Sequence, residues 1–277
     1  MVAPGTVLIL GFGTLGELVA GALRAHGHAV LGIRRTPVAG AGTCIAADIS
    51  AAETWQALPQ QAAGLGIAWP AQAVLLCANP GLRRGRDNHL ADAALLVHRH
   101  LPQARLVYTG TTAVYADAAG GGVTEESAVI TAPGAPAGLL AIEAAVARQA
   151  GALVLRVPAL IGPSRRHALE RLQGGITTVA GDLNRPFSFL HELDLAEIAS
   201  AALRGAYGHG ILNVANPSRS SLRDYYDALA RRAGVPAPHG DGQHLPSRWI
   251  DASRFWRMEP QRPWRSFTSD DPQPHVA

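Results

Sequence analysis

The chain has 277 residues, 48% apolar and only 16% charged, with a formal net charge of +3; an average soluble protein is roughly 25% charged. That composition supports a sizeable core in one large α/β domain, or in a domain with a smaller partner, and argues against wholesale disorder. All 24 basic residues are arginine, so no Schiff-base lysine, P-loop lysine or lysine-assisted tyrosine is available, and the absence of a basic helix interleaved with aromatics argues against nucleic acid.

The first strand, TVLILG, runs into a glycine turn and a helix over 14–26. Gly11, Gly13 and Gly16 have G-x-G-x-x-G spacing in "VLILGFGTLGELVAGAL". The first glycine permits the tight turn, the second lets backbone approach a pyrophosphate, and the third lets helix pack on strand. Phe12, Thr14 and Leu15 complete the cradle, whose helix N-terminus offers N–H groups to phosphate. The second strand, HAVLGI, ends in Arg34-Arg35. An acid there accepts the ribose 2′-OH of NAD, whereas guanidiniums suit a 2′-phosphate through fork-shaped, charge-assisted hydrogen bonds. The expectation is NADP(H), with one arginine of the pair simply solvated. Asp48, closing TCIAAD, either meets the adenine edge or marks the start of the next helix.

A helix over 51–63, the strand AVLLCA, a helix over 87–101 and the strand RLVYTG follow, then the flexible run Ala118 to Gly122, a helix over 137–150 and the strand LVLRVP. Short, continuously apolar strands separated by helices predict a doubly wound parallel sheet, a Rossmann fold, with ligands beyond the carboxyl ends of its strands. After Pro158 the rhythm degrades. Loops and short helices over 162–190 lead to the helical "DLAEIASAALRGA", the strand GILNVA, a helix over about 221–234 and a Pro/Arg/Trp-rich tail. The boundaries read as a dinucleotide-binding domain over 1–160, with a strand and helix return at about 187–215. Residues 161–186 and 216–277 read as a small substrate-binding lobe. Trp249, Trp256 and Trp264 are expected to pack that lobe.

Two arginine-bearing loops follow strand ends, "CANPGLRRGRD" and "IGPSRRH". Both are expected to overhang the ligand crevice. Ala78, Asn79 and Pro80 then lie near the nicotinamide end, while Arg83, Arg84, Arg86, Arg165 and Arg166 are candidates to clamp a phosphate or carboxylate of an anionic substrate. Cys44 and Cys77 sit in apolar runs and read as core residues of a reducing cytoplasm. The apolar run Thr6–Leu10 is too short to export or span. His26, His28, His98 and His100 lack a third ligand at metal-site spacing, so no metal is expected. No G-x-S-x-G marks a hydrolase elbow.

Several stretches together resemble the extended short-chain dehydrogenase/reductase family, the NAD-dependent epimerase/dehydratase group, and especially its atypical branch. "LVYTGTTAVYADAAGGGVTEES" is similar to the family's strand-five segment, "LRVPALIGPSR" to its LRP-x-x-x-YGP-x-R, and "FSFLHELDLAEIASAAL" to its IHVDDLA helix. "GHGILNVANPSRSSLRDYYDALARRAGVP" and "SRWIDASRFWRMEPQRPWRSF" resemble its closing segments, so the likeness covers nearly the whole chain. The resemblance implies a Ser/Thr after strand five, matched by Thr111, and a Tyr-x-x-x-Lys pair that falls here on Ala135 and Leu139, where both residues are gone. The atypical branch generally lacks that pair too. It also implies a homodimer through two helices flanking the sheet.

Among the remaining proton-handling groups, Tyr115 is the candidate general acid. A neutral phenol donates near pH 7 without a depressed pKa, so a reductase loses less than an oxidase would without the lysine. His191 matches the family histidine and either donates or packs at a helix start. Glu143 reads as a structural pair partner, and Thr111 as a hydrogen-bond donor to a substrate oxygen. The reading is an NADP(H)-dependent oxidoreductase or epimerase acting on a small polar, anionic carbonyl, imine or nucleotide-sugar-like substrate. The alternatives are a non-catalytic NADP(H) sensor and a dehydratase or related lyase with no net cofactor consumption.

Overall fold

The computed structural model describes residues 4–36 and 43–267. Its elements begin β1 (Thr6–Leu10), α1 (Thr14–Arg24), β2 (Ala29–Arg34), β3 (Cys44–Ala46), α2 (Ala52–Gly64), β4 (Ala73–Leu76) and α3 (Leu90–His100). They continue with β5 (Arg105–Thr111), β6 (Gly122–Val123), α4 (Ala135–Val146), β7 (Leu153–Val157), β8 (Ala159–Ile161), α5 (His167–Gln173) and β9 (Thr178–Val179). The last are β10 (Phe189–His191), α6 (Glu192–Leu203), β11 (Gly210–Asn213), α7 (Leu222–Ala233), β12 (His239–Gly240), β13 (Trp249–Ile250) and α8 (Ser253–Met258). Among the described residues no helix is long and apolar enough to cross a membrane.

The chain folds as two compact units. The first takes the residues up to Val114, Ile130–Arg156 and Leu195–Leu212, and holds a seven-stranded sheet in the order β11-β7-β5-β4-β1-β2-β3. All five residues of β1 are buried, as a strand covered by helices on both faces must be. Its Leu8 pairs in parallel with Leu31 of β2 on one side and Val74 of β4 on the other. The strand order reverses between β1 and β4, and such a switch point opens a crevice at the strands' carboxyl ends. Leu8, Leu10, Leu31, Val74, Leu76 and Leu106 pack with Trp55, Val97, Ile142 and Val146 from the helices. Each such side chain contributes about 1.5–3 kcal/mol by leaving water.

Helix bounds follow local chemistry. The third helix starts at Leu90 rather than 87, because His89 is left-handed (φ 54°) and its N–H donates to Asp87 Oδ1 at 2.7 Å. The fourth starts at Ala135 rather than 137, after Gly134 with φ 134° and with a proline in its first turn, where a missing N–H costs nothing. Glu143, the expected structural partner, meets Arg156 from β7 in a two-pronged ion pair at 3.0 and 2.7 Å, with both side chains less than a tenth exposed.

The second unit comprises Tyr115–Val129, Val157–Asp194 and the chain from Asn213 onward. Three short parallel pairs organise it: β10 with β8, β12 with β9, and β13 with β6. Leu169 and Leu172 of α5 pack on Leu229 of α7. A capping box starts α7, with the Ser221 hydroxyl accepting from the Asp224 N–H and the Asp224 carboxylate accepting in return from Ser221. Trp249 lies 5.6 Å from Trp256, and Trp264 5.9 Å from Phe255. The segment 115–129 falls here, although the sequence reading set it in the first domain. The cause is long-range pairing: β6 registers with β13, and the N–H groups of Ala118 and Gly120 both donate to the Ser247 carbonyl.

Candidate functional site

The glycine turn is built by three backbone bonds. Gly11 and Phe12 donate to the Ile33 carbonyl at 3.0 and 2.9 Å, and Gly13 donates to the Gly11 carbonyl at 2.7 Å. Gly11 has φ +97°, and a Cβ there would lie 2.4 Å from the backbone of Ala78, so no other residue fits. Gly13 is the opposite case: it is extended (φ −103°), and a Cβ would meet nothing within 4 Å. A Cβ at Gly16 would crowd the Gly11 carbonyl and Ile9 at 3.1 and 3.2 Å. Phe12 turns inward and lies on Gly32 of β2, where a Cβ would come 2.3 Å from its ring. No side chain caps α1, so the N–H groups of Thr14, Leu15 and Gly16 face outward at the positive end of the helix dipole. This turn, with open space over Gly13, has the shape and donor set to hold a diphosphate.

At the end of β2 the two arginines have different neighbours. The Arg34 guanidinium lies 3.8 Å from the Glu17 carboxylate of α1. Arg35, exposed, donates to the Asn88 side-chain carbonyl at 3.1 Å. Asp48 forms a local turn ahead of α2, whose N-cap Ala51 has no side-chain cap: its Oδ1 accepts from both the backbone N–H and the hydroxyl of Ser50, at 2.9 and 2.7 Å. Those bonds, the hydroxyl's foremost, hold its pKa below the usual 3.8, and the charge of Arg35 adds to the effect.

Ala78 abuts Gly11 at the crevice floor. Beneath the turn the Cys77 thiol donates to the Gly11 carbonyl at 3.4 Å, and burial pushes its pKa up to about 12. Asn79 is exposed, with its side-chain carbonyl accepting from the Gly81 N–H at 2.8 Å, and Pro80 is half-buried. Arg84 and Arg86 are exposed; the side chain of Arg83 lies outside the described residues. Thr111 ends β5 half-buried, its Oγ accepting from the Ala113 N–H at 3.2 Å, which leaves the hydroxyl proton to donate. On α4, Ala135 is half-buried and Leu139 buried, and both side chains are hydrocarbon. Leu82 packs against that helix at Gly138.

In the second unit Tyr115 is fully buried, and its hydroxyl donates to Asn213 Oδ1 at 2.6 Å. His191 is buried, with Nδ1 accepting from the Leu193 N–H at 3.2 Å, the arrangement of a residue that starts a helix. Arg165 lies 3.3 Å from the buried Glu192, which also takes the backbone N–H of Ser164 at 2.7 Å and its hydroxyl. Arg166 pairs on the surface with Glu170 at 3.9 Å. The buried Asp194 is bound by the side chain and N–H of Arg265. Burial raises its carboxyl, with Arg265 pulling the other way.

A residue missed by the sequence reading also lies here. A cavity of about 310 Å³ is lined by Asp182, Asn184, Arg185, Gln243, His244 and Ser247, among others. Arg185 Nε is buried with no hydrogen-bond partner among the described residues. A buried guanidinium N–H left without an acceptor is costly, and an oxygen-rich ligand would complete it. Only its place just before the "FSFLHELD" segment pointed to it. Among the described residues, no group of three or more His, Cys, Asp or Glu side chains could hold a metal ion.

No curated protein matches the chain by sequence. By fold it is similar to the Bordetella bronchiseptica enzyme WbmH in complex with NAD+, at TM-score 0.77 and 18% identity over 95% of this chain and 94% of that one. It is also similar to the Bacillus cereus UDP-glucuronic acid 4-epimerase in complex with NAD (0.73, 18%, 95% of each chain). The UDP-N-acetylglucosamine 4-epimerase of the same organism matches at 0.74 and 15% identity, again over 95% of each chain. The model of the NAD dependent epimerase/dehydratase family matches residues 7–215, and with that match over most of its length the chain belongs to the NAD-dependent epimerase/dehydratase family.

Proposed function

We propose that the protein is an NADP(H)-dependent oxidoreductase or epimerase acting on a small polar, anionic carbonyl, imine or nucleotide-sugar-like substrate. The observation that carries this reading is the turn at Gly11 to Gly16, whose middle glycine leaves room for a ligand beside the uncapped N-terminus of α1. Gly11, Phe12, Gly13, Thr14, Leu15 and Gly16 would hold the diphosphate, Arg34 and Arg35 the 2′-phosphate, and Ala78, Asn79 and Pro80 the nicotinamide half; Asp48 offers its second carboxylate oxygen to the adenine side. The nicotinamide, when bound, supplies or accepts a hydride. Four of the solved structures of similar fold are described in complex with NAD; the phosphate-bearing coenzyme is favoured here because two guanidiniums, not an acid, close β2.

Thr111 is assigned the hydrogen bond to the substrate oxygen, because its hydroxyl proton is available at the end of β5. Tyr115 is less suited, since donation elsewhere requires release of Asn213. The orphaned Nε of Arg185 supports an anionic substrate better than Arg165 does, because Glu192 already balances Arg165. Arg83, Arg86 and Arg166 stay as secondary candidates, and His191 as a residue that shapes the substrate side. A homodimer and a cytoplasmic location complete the proposal.

The test is a fluorescence titration with NADPH and NADH, followed by single-turnover loss of nicotinamide absorbance with candidate carbonyls, in wild type, Thr111→Ala and Tyr115→Phe. Tighter NADPH binding, with turnover lost in Thr111→Ala, supports the reading; preference for NADH refutes its coenzyme half. A second reading, a non-catalytic NADP(H) sensor, is favoured by Ala135 and Leu139, which carry no proton-handling group, while the carboxylate of α4, Glu143, is taken up by Arg156. Tight NADPH binding without turnover on any substrate would select it.

A further inference from the structure

The two arginines that close β2 are held by chemically different partners. Arg34 faces a carboxylate: Glu17 lies 3.8 Å away, so part of its charge is balanced within the protein. Arg35 faces a neutral amide, Asn88, at 3.1 Å. That amide does two jobs at once. Its Oδ1 accepts from Arg35 while its Nδ2 donates to the Asn79 carbonyl at 2.6 Å, and its own backbone N–H donates to the Pro80 carbonyl at 3.0 Å. Only one orientation of the amide satisfies both side-chain partners, a donor on one end and an acceptor on the other.

The nearby acids are directed elsewhere. Asp87, adjacent in sequence, gives its Oδ1 to the N–H of His89, and Asp48 gives its Oδ1 to Ser50. A neutral acceptor orients a guanidinium without forming an ion pair with it, so Arg35, which feels the Asp48 carboxylate only through space, keeps further N–H donors for an incoming phosphate. The geometry points to Asn88 as a positioning residue for coenzyme choice: it fixes Arg35 toward the 2′-phosphate and couples it to the loop of Asn79 and Pro80. This rests on the NADP(H) reading above.

The experiment uses the full chain and measures NADPH and NADH dissociation constants by fluorescence for wild type, Arg35→Gln, Asn88→Ala, Asn88→Asp and the double variant Arg35→Gln/Asn88→Ala. Thermal melts confirm that each is folded. Asn88→Asp should weaken NADPH about tenfold by setting a carboxylate on Arg35, and Asn88→Ala several-fold, with NADH changed less than about twofold in each. The double variant should be no weaker for NADPH than Arg35→Gln alone, as expected of two residues acting through one contact. Equal weakening of both coenzymes in the Asn88 variants, or additive losses in the double variant, would make Asn88 a loop scaffold only and overturn this inference alone. A wild type without NADPH preference, or an Arg35→Gln variant that keeps it, would remove the coenzyme reading and this inference with it.

Discussion

Replacing Gly13 by alanine separates a ligand-binding glycine from a folding one. At Gly13 the backbone is extended and the added methyl meets no protein atom within 4 Å. The folded state should therefore tolerate it, and stability should hold or rise by about 0.4–1 kcal/mol through the stiffer unfolded chain. In the proposed function, the same space is where the coenzyme's diphosphate would approach the α1 N-terminus. Losing one charge-assisted N–H to phosphate bond costs about 1.5–3 kcal/mol, or roughly 10- to 150-fold in the dissociation constant. Gly11→Ala is the control with the reverse outcome, because φ +97° and a 2.4 Å approach to Ala78 damage the fold itself. Fluorescence titration with NADPH and a thermal melt give both readouts. A Gly13→Ala protein that melts like wild type and binds NADPH equally well would refute the assignment of the diphosphate to this turn.

Three further outcomes are expected. Glu143→Ala removes the carboxylate that takes both prongs of the buried Arg156 guanidinium; it should cost about 3–5 kcal/mol and lower Tm by roughly 6–20 °C, and a shift near zero in calorimetry would contradict the pair's structural role. Tyr115→Phe leaves the buried Asn213 carbonyl without its phenol donor; the expected loss is about 1–3 kcal/mol in urea denaturation, with single-turnover rate retained if Thr111 serves the substrate oxygen. Hydrogen bonds to Asp48, Asp117, Asp224 and Asp241 hold all four below the usual 3.8, so below about that pH the unfolded chain binds more protons and stability falls with acid. Asp194, raised by burial, works in the opposite sense. The urea midpoint should drop as pH falls from 5 to about 3, and the drop should flatten when the four are changed to asparagine.

The parallel sheet was legible because its order depends on local pattern: VLIL and AVLL are apolar throughout, and both are buried on two faces. The glycine turn was legible for the same reason, since three glycines and one strand end lie within a few residues. What escaped the sequence depends on partners far along the chain. Arg34 and Glu17 are seventeen positions apart, and nothing local says that the acid of α1 turns toward β2. Arg165 reads as a free loop cation until Glu192 is found beneath it. Arg185 is one arginine among 24, and what distinguishes it is its place in the cavity wall with a buried Nε that has no partner among the described residues. The segment 115–129 changed unit because two residues of β6 pair with a strand more than a hundred positions later.

Both units are assembled from non-contiguous stretches, so the polypeptide crosses between them at 114/115, 129/130, 156/157, 194/195 and 212/213. No single proteolytic nick can therefore liberate either half, and no simple truncation yields one intact. A fragment ending at residue 160 would lack Leu195–Leu212 and with it strand β11, leaving β7 as an unprotected sheet margin prone to self-association. Engineering one half alone requires a gene that joins its three segments directly, and ribosomal synthesis must reach β11 before the seven-stranded sheet is complete.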